Sequence, residues 1–72
     1  MGLKFTNHAK FRILERRISM IDIKSAIKNP DSLKNVFDGK IAVKKYFGSY
    51  SLEIVYKKVT KSDILIITAY KI

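Results

Sequence analysis

Polar and apolar residues alternate with two different periods along this chain, and the change of period divides it. Over the first thirty residues the apolar positions recur at helical spacing, and after Pro30 they alternate in twos. Leu3-Lys4-Phe5 is extended in pattern, a short edge strand or a lead-in. Thr6 or Asn7 can cap a first helix that runs to about Arg17, where two arginines suit the negative end of the helix dipole. Ser19-Met20-Ile21-Asp22 reads as a capping box, so a second helix starts there with Met20, Ile23 and Ile27 as its apolar face. Asn29-Pro30 ends it, because the residue before proline disfavours helical backbone.

Beyond Pro30 the pattern is that of strands. The first runs from Ser32 to Phe37, followed by Asp38-Gly39, a two-residue hairpin signal. Lys40 to Phe47 sets Ile41, Val43 and Lys45 against Ala42, Lys44 and Tyr46, and Gly48-Ser49 makes a second tight turn. Tyr50 to Val59 places Tyr50, Leu52, Ile54 and Tyr56 on one face. After a polar turn at Thr60 to Ser62, Asp63 to Ile72 forms the last strand. Its Ile64-Leu65-Ile66-Ile67 run is apolar on both faces, as expected of a central or helix-covered strand. The expected architecture is α+β, with two N-terminal helices followed by a four-stranded antiparallel sheet and a possible short N-terminal strand.

Seventy-two residues allow one domain, spanning residues 1–72, with a small core. Hydrophobic content of 47% argues against disorder. No apolar run approaches a membrane span and no leader pattern is expected, so a membrane role is not anticipated. The absence of cysteine rules out disulfides and thiolate metal sites and fits a cytoplasmic location. A single histidine with scattered carboxylates does not make a usual zinc site, and no cofactor is called for.

Charge changes the picture most. Fifteen Lys and Arg against six acids give a formal charge of +9, which attracts polyanions: nucleic acid first, anionic membrane second, an acidic protein third. Tyrosine and phenylalanine interspersed among the lysines, as in Lys44-Lys45-Tyr46-Phe47, suit RNA. The plainer alternative is a lysine-rich surface kept soluble by repulsion, with alternation in a half-buried strand producing the same look.

The candidate chemistry concentrates in residues 8–19, which hold the single histidine and all three arginines. At about 100° per residue His8, Arg12 and Glu15 share a helical stripe, with Arg16 at its edge. His8 sits in the first turn, where the dipole favours a bound anion; its plainer role is packing on the sheet or bonding a loop carbonyl. Arg12 and Arg16, four apart, can clamp a phosphate with two guanidinium groups, while Arg17 serves the helix end. Asp22, Asp31, Asp38 and Asp63 all fall where short polar side chains serve the backbone, which leaves Glu15 and Glu53. Glu53 is expected to point away from the core on a solvated strand face. Glu15 reads more readily as a brace orienting Arg12 or Arg16 than as the acid/base partner of His8, from which it is separated by about 10 Å of helix rise. Lys44 and Lys45 point to opposite sheet faces, so one site takes only one of them. Tyr70, on the stripe of Ile64, Ile66 and Thr68, is either core with its hydroxyl at the rim or a base-stacking platform.

Thr6-x-His8-Ala9, then Arg12, Glu15-Arg16, Ile18-Ser19, the Asn29-Pro30 helix end and the closing Thr68-Ala69-Tyr70 resemble the domain-of-unknown-function family 4258. The resemblance spans nearly the whole chain. It implies the fold shared by barnase-, EndoU-, colicin- and RelE-like ribonucleases, many of them toxins neutralised by a partner encoded beside them. It also implies that His8, Arg12 and Arg16 occupy the family's polar helix positions and that Tyr70 is similar to the closing-strand tyrosine of RelE-like toxins. No predicted strand carries an arginine, so Lys44 or Lys45 would supply the sheet's positive charge. The implied activity is that of a toxin-type, metal-independent endoribonuclease using the ribose 2′-hydroxyl as nucleophile, with RNA, free or on the ribosome, as substrate and an antitoxin protein as partner. The alternatives are a non-catalytic basic module that binds RNA or an acidic protein, and a structural subunit whose helix stripe is buried.

Overall fold

Local capping sets the first turn of the fold, in a computed structural model that describes residues 2–72. Thr6 stays extended, and its hydroxyl accepts the Ala9 amide at 3.0 Å, which starts helix α1 (Asn7–Arg16). The same hydroxyl donates to the Ile67 carbonyl at 2.9 Å, fastening the helix start to a strand 61 residues away. Arg17 closes α1 in the left-handed region at φ 53°, and the Ile18 amide reaches back to the Ile13 carbonyl at 3.0 Å. That reversal drives Ile18 into the core. Ser19 then caps α2 (Met20–Lys28), its hydroxyl accepting the Ile21 and Asp22 amides.

The capping box is completed on one side only. The Asp22 carboxylate accepts the Tyr50 hydroxyl, so it ties α2 to the sheet rather than turning back on its own helix. The inward face of α2 also differs from expectation. Ile23 and Ala26 are fully buried and Ile27 half-buried, whereas Met20, one turn earlier, is exposed. Ala9 in α1 and Ala26 in α2 have no accessible surface, and side chains this small let both helices seat closely on the sheet.

The sheet has five strands: the expected antiparallel four and the possible N-terminal strand, which does form. β1 (Gly2–Phe5), β2 (Ser32–Asn35), β3 (Lys40–Tyr46), β4 (Ser51–Lys58) and β5 (Asp63–Lys71) lie in the order β1-β5-β4-β3-β2. β1 joins parallel to β5, Phe5 opposite Ile66, and half-buried Leu3 and Phe5 pack on the core. The remaining pairs are antiparallel. The turn after β2 is also longer than two residues: Phe37–Gly39 form a short 3₁₀ turn, with Asp38 and Gly39 both at positive φ and the Val36 amide donating to the Lys40 carbonyl. Gly48 at φ 91° opens the two-residue turn between β3 and β4, where the Phe47 amide donates to the Tyr50 carbonyl.

One irregularity matters for the site. Tyr56 pairs with Ile66 but Val55 pairs with Thr68, so Ile67 is an extra residue, a β-bulge. Before it, Ile64 and Ile66 lie on the helix-covered face with Tyr56. After it, Ala69 takes the helix side opposite Ile54, and Thr68 and Tyr70 align with Val55 and Glu53 on the other face. Tyr70 is therefore not on the stripe of Ile64 and Ile66; it is 40% exposed on the face that carries no helices. No helix among the described residues is long and apolar enough to cross a membrane.

Candidate functional site

Because β1 stops at Phe5, the second half of β5 has no strand on its outer side, and α1 runs there instead. Four residues of helix advance about 6 Å, close to the advance of two residues of strand, so positions 8 and 12 keep step with positions 68 and 70. The contacts follow that arithmetic. His8 Nε2 lies 3.1 Å from Thr68 Oγ1, and the Arg12 guanidinium carbon lies 5.9 Å from the centre of the Tyr70 ring. Thr68 is 7% exposed, and His8 supplies its hydroxyl with a partner. Arg12 Nε is buried with no hydrogen-bond partner among the described residues, while the rest of the guanidinium remains partly exposed.

Glu15 lies between the two arginines, with Oε1 3.6 Å from Arg12 Nη1 and 3.9 Å from Arg16 Nε. These are loose, solvent-exposed pairs that hold orientation more than they stabilise. One carboxylate shared by two guanidinium groups leaves the helix face net positive. Glu15 is engaged with the arginines and not with His8. Arg16, one turn beyond Arg12, is more exposed and lies at the margin.

From Tyr70 a row of side chains continues across the open face. The register sets Tyr70 opposite Glu53, Glu53 opposite Lys44 and Lys44 opposite Ser32. At about 4.8 Å per strand, Lys44 and Tyr70 are about 10 Å apart with Glu53 between them. A groove of about 340 Å³ lies along Ser32, Lys34, Ala42, Lys44 and Glu53. Lys45 is on the other face, where its ammonium donates to the Asn29 carbonyl at 2.9 Å and closes the end of α2. Of the two adjacent lysines, Lys44 is the one brought to the row.

Two members of this constellation escaped the sequence reading as site residues: Glu53, assigned to a solvated strand face, and Thr68. Glu53 had a usable signal, because a tight turn at Gly48-Ser49 dictates that position 44 faces position 53. Thr68 had none, since the bulge that turns it and Tyr70 outward follows no residue pattern in β5.

The tyrosines with raised pKa lie elsewhere. Desolvation, aided by the hydrogen bond to Asp22 and its charge, pushes Tyr50 up to about 12, and burial raises Tyr56. Tyr50 also stacks on Phe47 and carries Lys71 Nζ 4.8 Å over its ring, so it anchors the far end of the sheet to α2.

The family model described as "Domain of unknown function (DUF4258)" matches residues 5–71, from the end of β1 to the end of β5. The chain belongs to the DUF4258 family. The matched segment contains both halves of the constellation, His8 and Arg12 on α1 and Lys44, Glu53, Thr68 and Tyr70 on the sheet. No curated protein and no solved structure matches this DUF4258 chain.

Proposed function

We propose that this DUF4258 chain is a RelE-like, toxin-type endoribonuclease of the cytoplasm that cleaves RNA on its open sheet face by attack of the ribose 2′-hydroxyl on the adjacent phosphorus. The observation that carries the reading is the convergence of His8 and Arg12 from α1 with Thr68 and Tyr70 of β5, in line with Glu53 and Lys44. The reaction forms the bond from the 2′-oxygen to phosphorus and breaks the bond to the 5′-oxygen, leaving a cyclic phosphate and a 5′-hydroxyl. It needs one group to take the 2′ proton, another to give a proton to the 5′-oxygen, and cations on the non-bridging oxygens.

The residues present divide along those lines. Arg12, with Nε unpartnered, and Lys44 stabilise the charge on the phosphorus oxygens, with Arg16 contributing from the margin. His8 and Glu53 carry the protons, Thr68 fixes the imidazole, and Tyr70 stacks on a base or holds the sugar. Glu15 keeps the two arginines in place. A charge of +9 supplies much of the affinity, which falls steeply as salt is added.

The test is incubation of the purified protein with RNA in the presence of a chelator, beside His8→Ala, Arg12→Ala and Glu53→Gln variants of verified fold. Cleavage leaving cyclic phosphate ends, reduced at least about a hundredfold in each variant, supports the assignment. Intact RNA bound in a salt-dependent way replaces it with a non-catalytic binding module. Intact, unbound RNA at low salt removes both.

A further inference from the structure

The sheet has two edges, and they are finished differently. β1 is half-buried and packs on the core, but all four residues of β2 are exposed and, among the described residues, no strand lies on their outer side. The Val36 amide bonds to the Lys40 carbonyl, which makes residues 32, 34 and 36 the ones paired with β3. By alternation the N–H and C=O of Leu33 and Asn35 point outward with no strand to meet them, the usual template for adding a strand.

The side chains specify what that strand carries. On the helix-covered side Leu33 is 54% exposed, an apolar neighbour without a partner beyond it. On the open side Lys34 rises from β2, flanked in register by Lys40 and Lys44 of β3. The acid nearest the strand, Asp31, already accepts the Tyr46 amide at 2.7 Å. A second copy is a poor occupant, because antiparallel pairing of two β2 strands sets these lysines against their own images on chains of charge +9.

We infer that the free edge of β2 binds an acidic partner segment in extended form, its acidic residues alternating with apolar ones. The apolar side chains extend the Leu33 side, and the acidic ones face Lys34 and Lys44. Such a strand also walls in the groove along Ser32, Lys34 and Lys44. The inference rests on the edge and its charge, and stands whether or not the chain cleaves RNA.

The probe is a capped heptapeptide of alternating Glu and Val, added to the isotopically labelled full chain, with a Lys-for-Glu counterpart as control. At about ten times its dissociation constant the acidic peptide slows hydrogen exchange of the Leu33 and Asn35 amides about tenfold. The Lys peptide leaves them unchanged. Leu33→Pro removes an outward N–H and no β2–β3 hydrogen bond, so with β3–β5 amide signals intact it abolishes the protection. Unchanged exchange at Leu33 and Asn35 overturns the inference. Equal binding by folded Leu33→Pro, perturbations centred away from β2, or self-association through β2 overturn it as well.

Discussion

Thr6 links the stability of this domain to its candidate chemistry, and truncating it separates two effects. The hydroxyl accepts the Ala9 amide at 3.0 Å and donates to the Ile67 carbonyl at 2.9 Å. Thr6→Ala loses the helix cap, worth about 1 kcal/mol, and leaves the part-buried Ile67 carbonyl without this donor, a further cost of about 1 kcal/mol. For a domain of this size a loss of about 2 kcal/mol lowers Tm by roughly 8–16 °C. Thr6→Ser keeps both hydrogen bonds and should fall by less than half as much. The function follows the geometry: the cap fixes where α1 begins against β5, and His8 is two residues on. In Thr6→Ala the His8–Thr68 contact loosens, so RNA cleavage falls more than the folded fraction does. Thermal melts by circular dichroism, with cleavage rates at a temperature where every variant is folded, measure both effects. A Tm within about 2 °C of wild type for Thr6→Ala, or an equal loss in Thr6→Ser, refutes the argument that this hydroxyl holds the helix to the sheet.

Three further outcomes follow from the same structure. Arg17 closes α1 at φ 53°, a conformation that costs a side-chain-bearing residue about 1 kcal/mol, so Arg17→Gly should raise the urea midpoint. Tyr50, held neutral by burial and Asp22 with its pKa raised from 10.0 to about 12, contributes stability that is complete below pH 10 and lost as pH rises from 10 to 12. The urea midpoint of wild type should therefore drop more steeply over that range than that of Tyr50→Phe, which has no proton to lose there. Ile54 has no accessible surface at the centre of β4, and Ile54→Ala should cost about 2–5 kcal/mol, enough to leave much of a small domain unfolded in denaturant titrations.

The parts of this fold legible in the sequence are those governed by short-range rules. Ser19, Pro30 and Gly48 act on the backbone within a few residues, and they placed the start and end of α2 and the β3–β4 turn correctly. The alternation in β3 and β4 likewise assigned Lys44 and Lys45 to opposite faces. What remains is long-range. Leu3-Lys4-Phe5 reads as an edge strand or a lead-in with no choice between them, because pairing depends on a vacancy beside Ile64–Ile66 that no local pattern reports. Asp22 looked like half of a capping box because Tyr50, its actual partner, is 28 residues away. On the site, the sequence names His8 and Arg12 on the helix and Tyr70 on the last strand, and the structure brings Arg12 to Tyr70 and His8 to Thr68; what no local pattern reports is that Tyr70 reaches the open face only after the bulge at Ile67.

The bulge and the short β1 act together. A longer β1 would pair with β5 past Ile66 and displace α1 from the strand. A regular β5 would keep Thr68 and Tyr70 in line with Ile66, on the face that the helices cover. Each departure from regularity gives up ladder hydrogen bonds, yet together they produce one result: a basic helix meets the edge of a strand where polar side chains have just turned outward. The bulge lies midway along β5 and also sets Ala69 into the core opposite Ile54, and bulges gather where a side chain must be re-aimed at a site. The sharpest comparison is therefore a chain with Ile67 deleted, which restores the alternation. Deletion leaves Thr68 opposite Val55 and Tyr70 opposite Glu53, so the sheet and the His8–Thr68 contact should both persist; loss of that contact with the sheet intact would refute the reading of Ile67 as the surplus residue.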